Sequence, residues 1–418
     1  MNEKQNLRLK RNVGLDYVHT FLSNMNMQSS IWVLYLAYCG LHLAQIGLLE
    51  GNYHATSIVC EIPSGAAADL LGRKRCMILS NICIAVSCVI MLFSKSFGWF
   101  AVSFVVQALG NNLNSGSEEA LVYDSMKCLG QEEHYMGVYG RLNMLIEVAQ
   151  GLATVAGGVL AEFSYFWCYA ACVVIAVLAL LPVLWMAEPP QCGEAADTAG
   201  KDAKDASAEG TPAQRTIRET VKHHFAVSAR ILQKDVRIGK IIGFYSVVFA
   251  AHTLLFFYSQ QYFADRGYNK VQISVIMLLV GGASCLGALV SEKMYRWFGK
   301  KCLIPETVII AGAILCYGAG KADVAAAALM CAGFANAALY PIQSDSLNAL
   351  IPSEQRATLI SVDSMCFSIA MIVLFPLAGA FADRWGLKTV LLLLGAILLL
   401  FLLTVFCIEK ESFSSDHS

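Results

Sequence analysis

The sequence SGAAADLLGRKR at residues 64–75 closes a long apolar stretch with a glycine, an aspartate and a run of basic residues. Other apolar stretches close in a similar way, with glycine followed by an acid or a small polar residue: AGGVLAEF (156–163), LGALVSEKMYRWFGKK (286–301) and LAGAFADRWGLK (377–388). Glycine admits close contact between helix backbones, and the polar residue fits a membrane boundary. The recurrence indicates a helical unit that is repeated along the chain.

The composition indicates that most of the chain is surrounded by lipid. Of the 418 residues, 57% are hydrophobic and only 15% are charged, whereas a soluble domain carries about 25% charged residues. The formal net charge of −1 offers no basic field, so nucleic acid is not expected as a partner. The 15 cysteines are scattered through apolar segments without a CxxC pair. We expect them to be small buried hydrophobes, and we expect no metal or other cofactor.

Windows of about 20 mostly apolar residues, the length that crosses a bilayer, predict twelve membrane spans. Numbered in chain order as spans 1 to 12, they occupy residues 15–41, 46–70, 76–94, 98–126, 135–161, 164–187, 238–262, 272–290, 303–320, 323–349, 357–381 and 387–408. With the N-terminus in the cytosol, most of the 30 Lys and Arg residues fall in cytosolic segments. The positive-inside rule therefore predicts that both termini are cytosolic.

The segment between spans 6 and 7 divides the chain into six plus six helices. The predicted parts are an N-terminal six-helix bundle, a cytosolic linker, a C-terminal six-helix bundle and a short cytosolic tail, at residues 1–187, 188–237, 238–410 and 411–418. The first part of the linker is rich in Pro, Gly, Ala and charge, which indicates flexibility. Its second part, 216–232, carries apolar residues near one face. That pattern fits a helix on the membrane surface, with a merely solvated helix as the alternative. The basic residues 1–16 show no signal-peptide pattern and are interpreted as a cytosolic tail.

Polar residues concentrate in spans 1, 4, 7 and 10, whereas spans 3, 6, 9 and 12 are almost uniformly apolar and should face lipid. Polar groups are costly in hydrocarbon, so they should face protein or a water-filled cavity. At about 100° per residue they form one stripe per helix. Four such stripes predict one central substrate cavity, with hydrogen bonding between helices as the alternative. The residues assigned to the cavity are Asn24, Gln28, Asn111, Asn114, Tyr245, His252, Asn336, Tyr340 and Gln343, and on span 1 the stripe also includes Tyr17 and Tyr35.

These features together resemble the major facilitator superfamily over essentially the whole chain. The most specific local match is Gly65-x-x-x-Asp69-x-x-Gly72-Arg73-Lys74, which is similar to the signature loop of the family, with Leu70 in place of its usual arginine. The resemblance implies an all-α membrane protein with twelve transmembrane helices, in two six-helix bundles built from three-helix inverted repeats. It also implies rocking of the two halves around a midplane site, and we expect a monomer.

The resemblance further implies a cytosolic gate between the signature loop and the end of span 4. Asp124 lies where the partner acid is expected, Arg73 can bridge to it, and Asp69 can cap or pair at a helix end. Gly65 and Gly72 complete the candidate gate. The alternative is that the basic residues 73–75 only fix the topology.

Acids inside predicted spans are functional candidates. A carboxylate is costly in hydrocarbon, so acids are rare there and usually mark a functional site. A carboxylate there can accept and release protons. The candidates for proton coupling are Glu61, Glu118, Glu119, Glu147 and His54. A structural pairing of Glu118 or Glu119 with Arg141, and a simply packed His54, remain as alternatives.

We predict a proton-coupled exporter of amphipathic or cationic small molecules, a multidrug-type efflux protein. Aromatic residues 256–258 alongside acids suit such cargo. The resemblance to drug antiporters is partial, because Val106 replaces an expected arginine and GLATVAGG (151–158) lacks proline. A proton-coupled importer of a small metabolite is the alternative, and a non-transporting membrane sensor is a remote one.

The expected partners are a small-molecule substrate, protons and membrane lipid. No HExxH, GxSxG or GxxxxGK motif is present, so we do not expect an enzyme. The short loops suggest the inner membrane of a bacterium.

Overall fold

The fold is helical in every regular element that the structure describes. The computed structural model describes residues 3–190, 236–298, 303–348 and 356–415, so the predicted surface helix at 216–232 lies outside the described residues. The helices are α1 Glu3–Ser23, α2 Trp32–Tyr38, α3 Leu43–Leu71, α4 Arg73–Phe93, α5 Phe97–Asn114, α6 Ser117–Cys128, α7 Tyr135–Phe163, α8 Tyr165–Trp185, α9 Val236–Ala264, α10 Lys270–Phe298, α11 Leu303–Cys316, α12 Ala322–Asn348, α13 Arg356–Trp385 and α14 Leu387–Ser415.

These helices occupy all twelve predicted spans, because α1 and α2 share span 1 and α5 and α6 share span 4. In the described part of the chain, 7 helices are long and apolar enough to cross a membrane, and Pro305–Cys316 and Leu387–Leu403 are shorter apolar helices. Spans 1, 2 and 4 fall outside both groups. Spans 1 and 4 each contain a break between two helices. Spans 1, 2 and 4 all carry polar residues that the sequence assigns to the cavity or to proton coupling.

The prediction of one continuous helix for span 1 is wrong. α1 ends at Ser23, residues 24–31 form turns, and α2 begins at Trp32. Asn and Ser side chains compete with the helix for backbone groups, and Asn24 Nδ2 donates to Thr20 O at 2.8 Å. The predicted stripe therefore does not run on from Asn24 to Tyr35, because the helical period is lost between them.

Span 4 is also interrupted, contrary to the prediction of one helix over 98–126. α5 ends at Asn114 and α6 begins at Ser117. Between them Gly116 has φ +76, a left-handed conformation that only glycine adopts without strain. Both interruptions lie in spans that are the polar members of their three-helix repeats.

Two further sequence expectations need correction. The N-terminal segment is not a simple tail, because α1 begins at Glu3 and buries Asn12 and Asp16 completely. Span 9, which is expected from the sequence to be almost uniformly apolar, corresponds to α11. This helix carries an acid, Glu306, whose side chain is fully buried. Neither carboxylate oxygen of Glu306 has a hydrogen-bond partner within the described ranges.

The described residues form two compact units. Unit 1 comprises the described parts of 1–28, 55–156 and 164–227, and unit 2 comprises Ser29–His54, Gly157–Phe163 and the described helices from Val236 onward. The core of unit 1 includes a cluster of Met77, Leu121, Val183 and Met186. The core of unit 2 is rich in buried aromatic residues, such as Tyr258, Tyr262, Tyr317 and Phe375. The bundle boundaries at 187 and 238 stay a prediction.

Candidate functional site

Unit 1 contains a polar cavity of about 200 Å³ between the end of α1 and helices α4, α5 and α8. Carboxamides dominate its lining, together with His19 and several serines. No Asp, Glu, Lys or Arg is among the described residues that line it. The carboxamides are Asn24, Asn26, Gln28, Asn81, Gln107, Asn111 and Asn114.

The two helix interruptions explain how the sequence builds this cavity. α1 stops at Ser23, and the chain leaves the helix over residues 24–28. The side chains of Asn24, Met25, Asn26 and Gln28 then line the cavity. Asn111 and Asn114 are one turn apart on α5, so they lie on the same face just before the break at Gly116. Irregular backbone of this kind is tolerated at membrane depth where it lines a cavity.

Several polar atoms at this cavity are left without a protein partner. His19 is fully buried, and its Nδ1 lies 2.9 Å from the carbonyl oxygen of Ala179. A carbonyl only accepts, so Nδ1 carries the proton and Nε2 of the neutral ring is an acceptor. His19 Nε2, Gln28 Oε1 and Asn114 Oδ1 have no hydrogen-bond partner among the residues described. Buried polar groups are normally paired, so these three buried acceptors are exceptions to that rule.

Glu118 lies at the edge of the cavity in the first turn of α6. It accepts hydrogen bonds from Thr20 Oγ1 at 2.7 Å and from Asn114 Nδ2 at 2.6 Å. The N-terminus of a helix also favours a negative charge at this position. Because Asn114 both lines the cavity and donates to Glu118, it connects the carboxylate to the cavity directly.

Asp16 was missed by the sequence reasoning. It lies four residues before Thr20 on α1, is fully buried, and interacts electrostatically with Glu118. Neither of its carboxylate oxygens has a hydrogen-bond partner in the part of the chain that the structure describes. Its position next to the basic segment 8–11 made it look like the end of a tail. Only its packing in unit 1 reveals a fully buried acid.

The other candidates for proton coupling lie elsewhere. Glu119 and Glu147 are exposed, on α6 and α7, and Glu61 is half-buried on α3. His54 belongs to unit 2, where its Nε2 lies 3.6 Å from Glu50 Oε1 and its Nδ1 lies 3.2 Å from Ser368 Oγ. Of the five candidates, Glu118 accepts a hydrogen bond from a residue that lines the cavity of unit 1, Asn114. A coupling role for each of them stays a prediction.

The candidate gate residues cluster where α3 meets α4. Arg73 Nε lies 3.1 Å from Asp124 Oδ2, and both side chains are about one-third exposed, at 32% and 34%. Gly72 joins the two helices with φ +92. Asp69 lies in the last turn of α3, with its side chain outside the described part, and Gly65 is exposed one turn earlier. The ion pair is present, and its role as a gate stays a prediction.

Glu188, which the sequence reasoning did not single out, completes this cluster. Its Oε1 accepts a hydrogen bond from Arg73 N at 2.7 Å, and its Oε2 accepts one from Lys74 N at 2.9 Å. The first N–H groups of a helix have no partner within the helix, so Glu188 caps α4. Lys74 Nζ in turn donates to Leu184 O and Met186 O near the end of α8. The only sequence signal was an acid directly after span 6.

The predicted cavity residues of the C-terminal half belong to unit 2 and do not line the cavity of unit 1. Tyr245 and Gln343 are buried, Tyr340 is 63% exposed, and His252 and Asn336 are half-buried. Gln343 Nε2 donates to Asp363 Oδ1 at 2.7 Å, and Asp363 is another acid that the sequence reasoning missed. One central cavity lined by all four stripes stays a prediction.

Comparison with known proteins identifies the family. A sequence profile described as "Major Facilitator Superfamily" matches residues 18–322 and 307–416. The "Uncharacterized MFS-type transporter YxaM" of Bacillus subtilis (strain 168) is 22% identical over 380 residues, which is 90% of each chain.

Two solved transporters share the fold. The nucleoside transporter NupG has a TM-score of 0.74 and 14% identity, covering 98% of this chain and 100% of that one. A D-xylose-proton symporter has a TM-score of 0.63 and 14% identity, covering 96% and 97%. The predicted fold class, an all-α membrane protein with twelve transmembrane helices in two six-helix bundles, is confirmed, as is the expectation that the protein is not an enzyme. This chain is therefore a multi-pass integral membrane protein that belongs to the Major Facilitator Superfamily of transporters.

Proposed function

We propose that this protein is a proton-coupled secondary transporter that moves a small molecule across the membrane by alternating access. The observation that carries the proposal is that the fully buried Asp16 interacts electrostatically with the half-buried Glu118, which holds a side chain of the polar cavity of unit 1. Ionisable residues inside a membrane mark ion and substrate pathways by default. Two acids this close resist simultaneous ionisation, so the pair can hold a proton that it later releases.

The link from proton to cavity runs through Asn114. When Glu118 is ionised, it only accepts, and it holds the amide of Asn114 and the hydroxyl of Thr20. When the proton of Glu118 is on Oε2, that oxygen faces the Asn114 amide as a second donor, so the contact breaks or the amide turns over. Asn114 then presents a different hydrogen-bonding pattern to the cavity. Protonation and substrate binding are coupled by this rearrangement, and the coupling is reciprocal.

The cytosolic gate is proposed to be the cluster of Arg73, Asp124 and Glu188, together with the signature residues Gly65, Asp69 and Gly72. The Arg73–Asp124 ion pair and the Glu188 cap join three helix ends, α4, α6 and α8. Breaking such contacts would shift the balance between the transporter's states. The orientation that follows from the basic residues places this cluster and both termini in the cytosol.

The lining of the cavity favours the alternative that the sequence left open, which is import of a small metabolite. A cavity that binds amphipathic or cationic compounds for efflux is expected to be lined by acids or by the faces of aromatic rings. The cavity of unit 1 is instead lined by amides and hydroxyls, with no charged residue among the described lining residues. Import of a small polar metabolite therefore ranks above multidrug efflux. Similar transporters of nucleosides and of D-xylose with protons support this order. We propose a monomer in a bacterial cell membrane, which fits the relative from Bacillus subtilis.

Substrate-driven proton movement in proteoliposomes tests the proposal. A pH-sensitive dye inside the vesicles should report acidification when a transported solute is added outside, and the signal should fall in Asp16→Asn and Glu118→Gln. Glu132→Gln, which changes an exposed acid in the short 3-10 helix before α7, is the matched control. Solute uptake without any proton movement would refute the coupling, and unchanged signals in both variants would remove the acid pair from it.

A further inference from the structure

The first part of α3 packs closely against α13 within unit 2. A Cβ on Gly47 would lie 2.6 Å from Phe375 O, and a Cβ on Gly51 would lie 3.5 Å from Ile372 O. Because glycine has no side chain, the two helix backbones can approach each other at both positions. The contact therefore extends over more than one turn of each helix.

An acid and a histidine lie at the end of this contact. Glu50 and His54 are one turn apart on α3, His54 Nε2 lies 3.6 Å from Glu50 Oε1, and each side chain is only 12% exposed. From α13, Ser368 Oγ lies 3.2 Å from His54 Nδ1, and the ring of Phe367 stands edge-on to the imidazole. His54 is the last residue of α3 in unit 2, since Ala55 begins a segment of unit 1.

The groups around Glu50 and His54 leave this pair to neutralise itself. Among the described residues, His54 is the basic group that contacts the Glu50 carboxylate. Tyr53 stands edge-on to His54 on the same helix, and Tyr258 of α9 interacts electrostatically with Glu50. The single proton of the Tyr258 hydroxyl is donated to Phe375 O at 3.1 Å. The charge of the pair thus depends on the proton that Glu50 and His54 share.

This proton decides how much charge the contact between α3 and α13 buries. With one proton the pair is neutral overall, whether the proton is on the histidine or on the acid. Without it, Glu50 is left as an unpaired negative charge, which is costly to bury. Water can solvate that charge when the two helices separate. Proton uptake therefore favours the contact, and proton loss favours separation.

We propose that Glu50 and His54 form a proton-operated latch, which holds α3 against α13 when the pair carries a proton and releases α3 when the proton leaves. The orientation predicted from the basic residues places residues 43–54 on the non-cytosolic side of the membrane. A proton taken up from that side then closes that side, as a proton-driven importer requires. The inference rests on the proposed alternating access. It adds a proton site in unit 2, whereas Asp16 and Glu118 belong to unit 1.

Electron–electron double resonance on the full-length protein in detergent tests the latch. Spin labels attached to a non-canonical amino acid at Leu48 and Trp385, which are both exposed, leave the native cysteines unlabelled. Histidine exchanges its proton between about pH 5 and pH 8. Over this range we expect acid to raise the ratio of short to long distances by about tenfold. A distance distribution that does not respond to pH would overturn the inference.

Substitutions of the pair separate the effect of charge from that of packing. In Glu50→Gln, protonation of His54 buries an unpaired positive charge, so acid should favour the long distance. In His54→Gln, the acid is left alone, and the short distance should require a more acidic pH than in the wild type. The double variant has no charge here and should keep the short distance at every pH.

His134→Gln is the matched control, because it makes the same change at an exposed histidine before α7. It should respond to pH as the wild type does. A wild-type response in both single variants would overturn the latch. Loss of the short distance in the double variant would also overturn it, since the pair would then hold the contact by packing alone.

Proton movement in proteoliposomes distinguishes this inference from the proposed function. If solute moves without protons while the distances still respond to pH, the proton coupling fails and the latch stands as a pH-sensitive control of opening. If protons move with solute while the distances ignore pH, the latch fails and the proposed function stands.

Discussion

The carboxylate of Asp383 caps α3 at Ala44, with Oδ2 accepting a hydrogen bond from Ala44 N at 2.8 Å. Oδ1 accepts a second one from Leu43 N at 3.0 Å. Gly379, four residues before Asp383, lets α13 come so close that a Cβ there would collide with the Leu43 backbone. One glycine and one acid therefore hold the end of α13 against the start of α3.

The same arrangement occurs a second time in unit 2. Glu162 Oε2 accepts a hydrogen bond from Lys270 N at 2.9 Å and lies 4.0 Å from Lys270 Nζ, so Glu162 caps α10. Gly158, again four residues earlier, packs against Ser274. Two of the four glycine-and-acid endings in the sequence, at 156–163 and 377–388, are thus helix caps in the folded protein. Both lie in segments that the charge distribution predicts to be on the non-cytosolic side.

Asp383→Ala should lower the free energy of unfolding by about 1 kcal/mol, because two N–H groups of α3 lose their acceptor. Thermal unfolding in detergent measures the effect. Glu292→Ala is the control, since Glu292 is 81% exposed and pairs only with Arg296 in the same helix, and such surface pairs contribute little. An equal effect of the two substitutions would show that the cap does not stabilise unit 2.

Gly116→Ala should destabilise the protein by about 1–2 kcal/mol, the cost of a left-handed conformation for a residue with a Cβ. Nothing lies within 4 Å of the added Cβ, so the cost is conformational and not steric. Gly14→Ala on α1 also has open space and an ordinary helical backbone. It should leave stability unchanged or raise it by about 0.5–1 kcal/mol. Effects of the same sign would show that the break at Gly116 is not held by glycine.

Asp69→Asn and Arg73→Gln should each reduce turnover while leaving membrane insertion intact. The Arg73–Asp124 pair is too exposed to contribute more than about 1 kcal/mol to stability, so the expected loss is in transport rate and not in folding. Initial uptake rates at matched membrane abundance measure the effect. Arg75→Gln removes an exposed neighbouring charge and should transport normally. Transport at the wild-type rate by the Asp69 and Arg73 variants would argue against the gate.

Glu118→Gln should flatten the dependence of transport on pH. Glutamine imitates the protonated carboxyl group in shape and charge, so the variant cannot switch the contacts with Thr20 and Asn114 as the acid does. Uptake measured across a range of pH at constant solute gradient shows the change. A pH profile that matches the wild type would take Glu118 out of the proton path and leave Asp16 as the candidate.

The sequence determined the features that depend on composition over a whole helix or on a short local pattern. Twelve apolar segments, their polar members and the glycine-and-acid endings could all be read in advance, because lipid imposes helix and length on every span. The sites of Asn111, Asn114 and Glu118 followed from the same reasoning, since polar residues on an apolar span stand out from their background.

Only the tertiary structure decided which of these residues meet. Asp16 is a buried acid because α1 packs it inside unit 1. Glu188 is a cap because the end of α8 returns to the start of α4, 115 residues earlier. Likewise Gln343 was expected to face a cavity, whereas its side chain donates to Asp363 on the next helix, α13. Hydropathy averages over a helix and carries no distance between helices. The cavity beside the breaks at residues 24–31 and 115–116 is lined from several helices, so it forms only when the helices assemble.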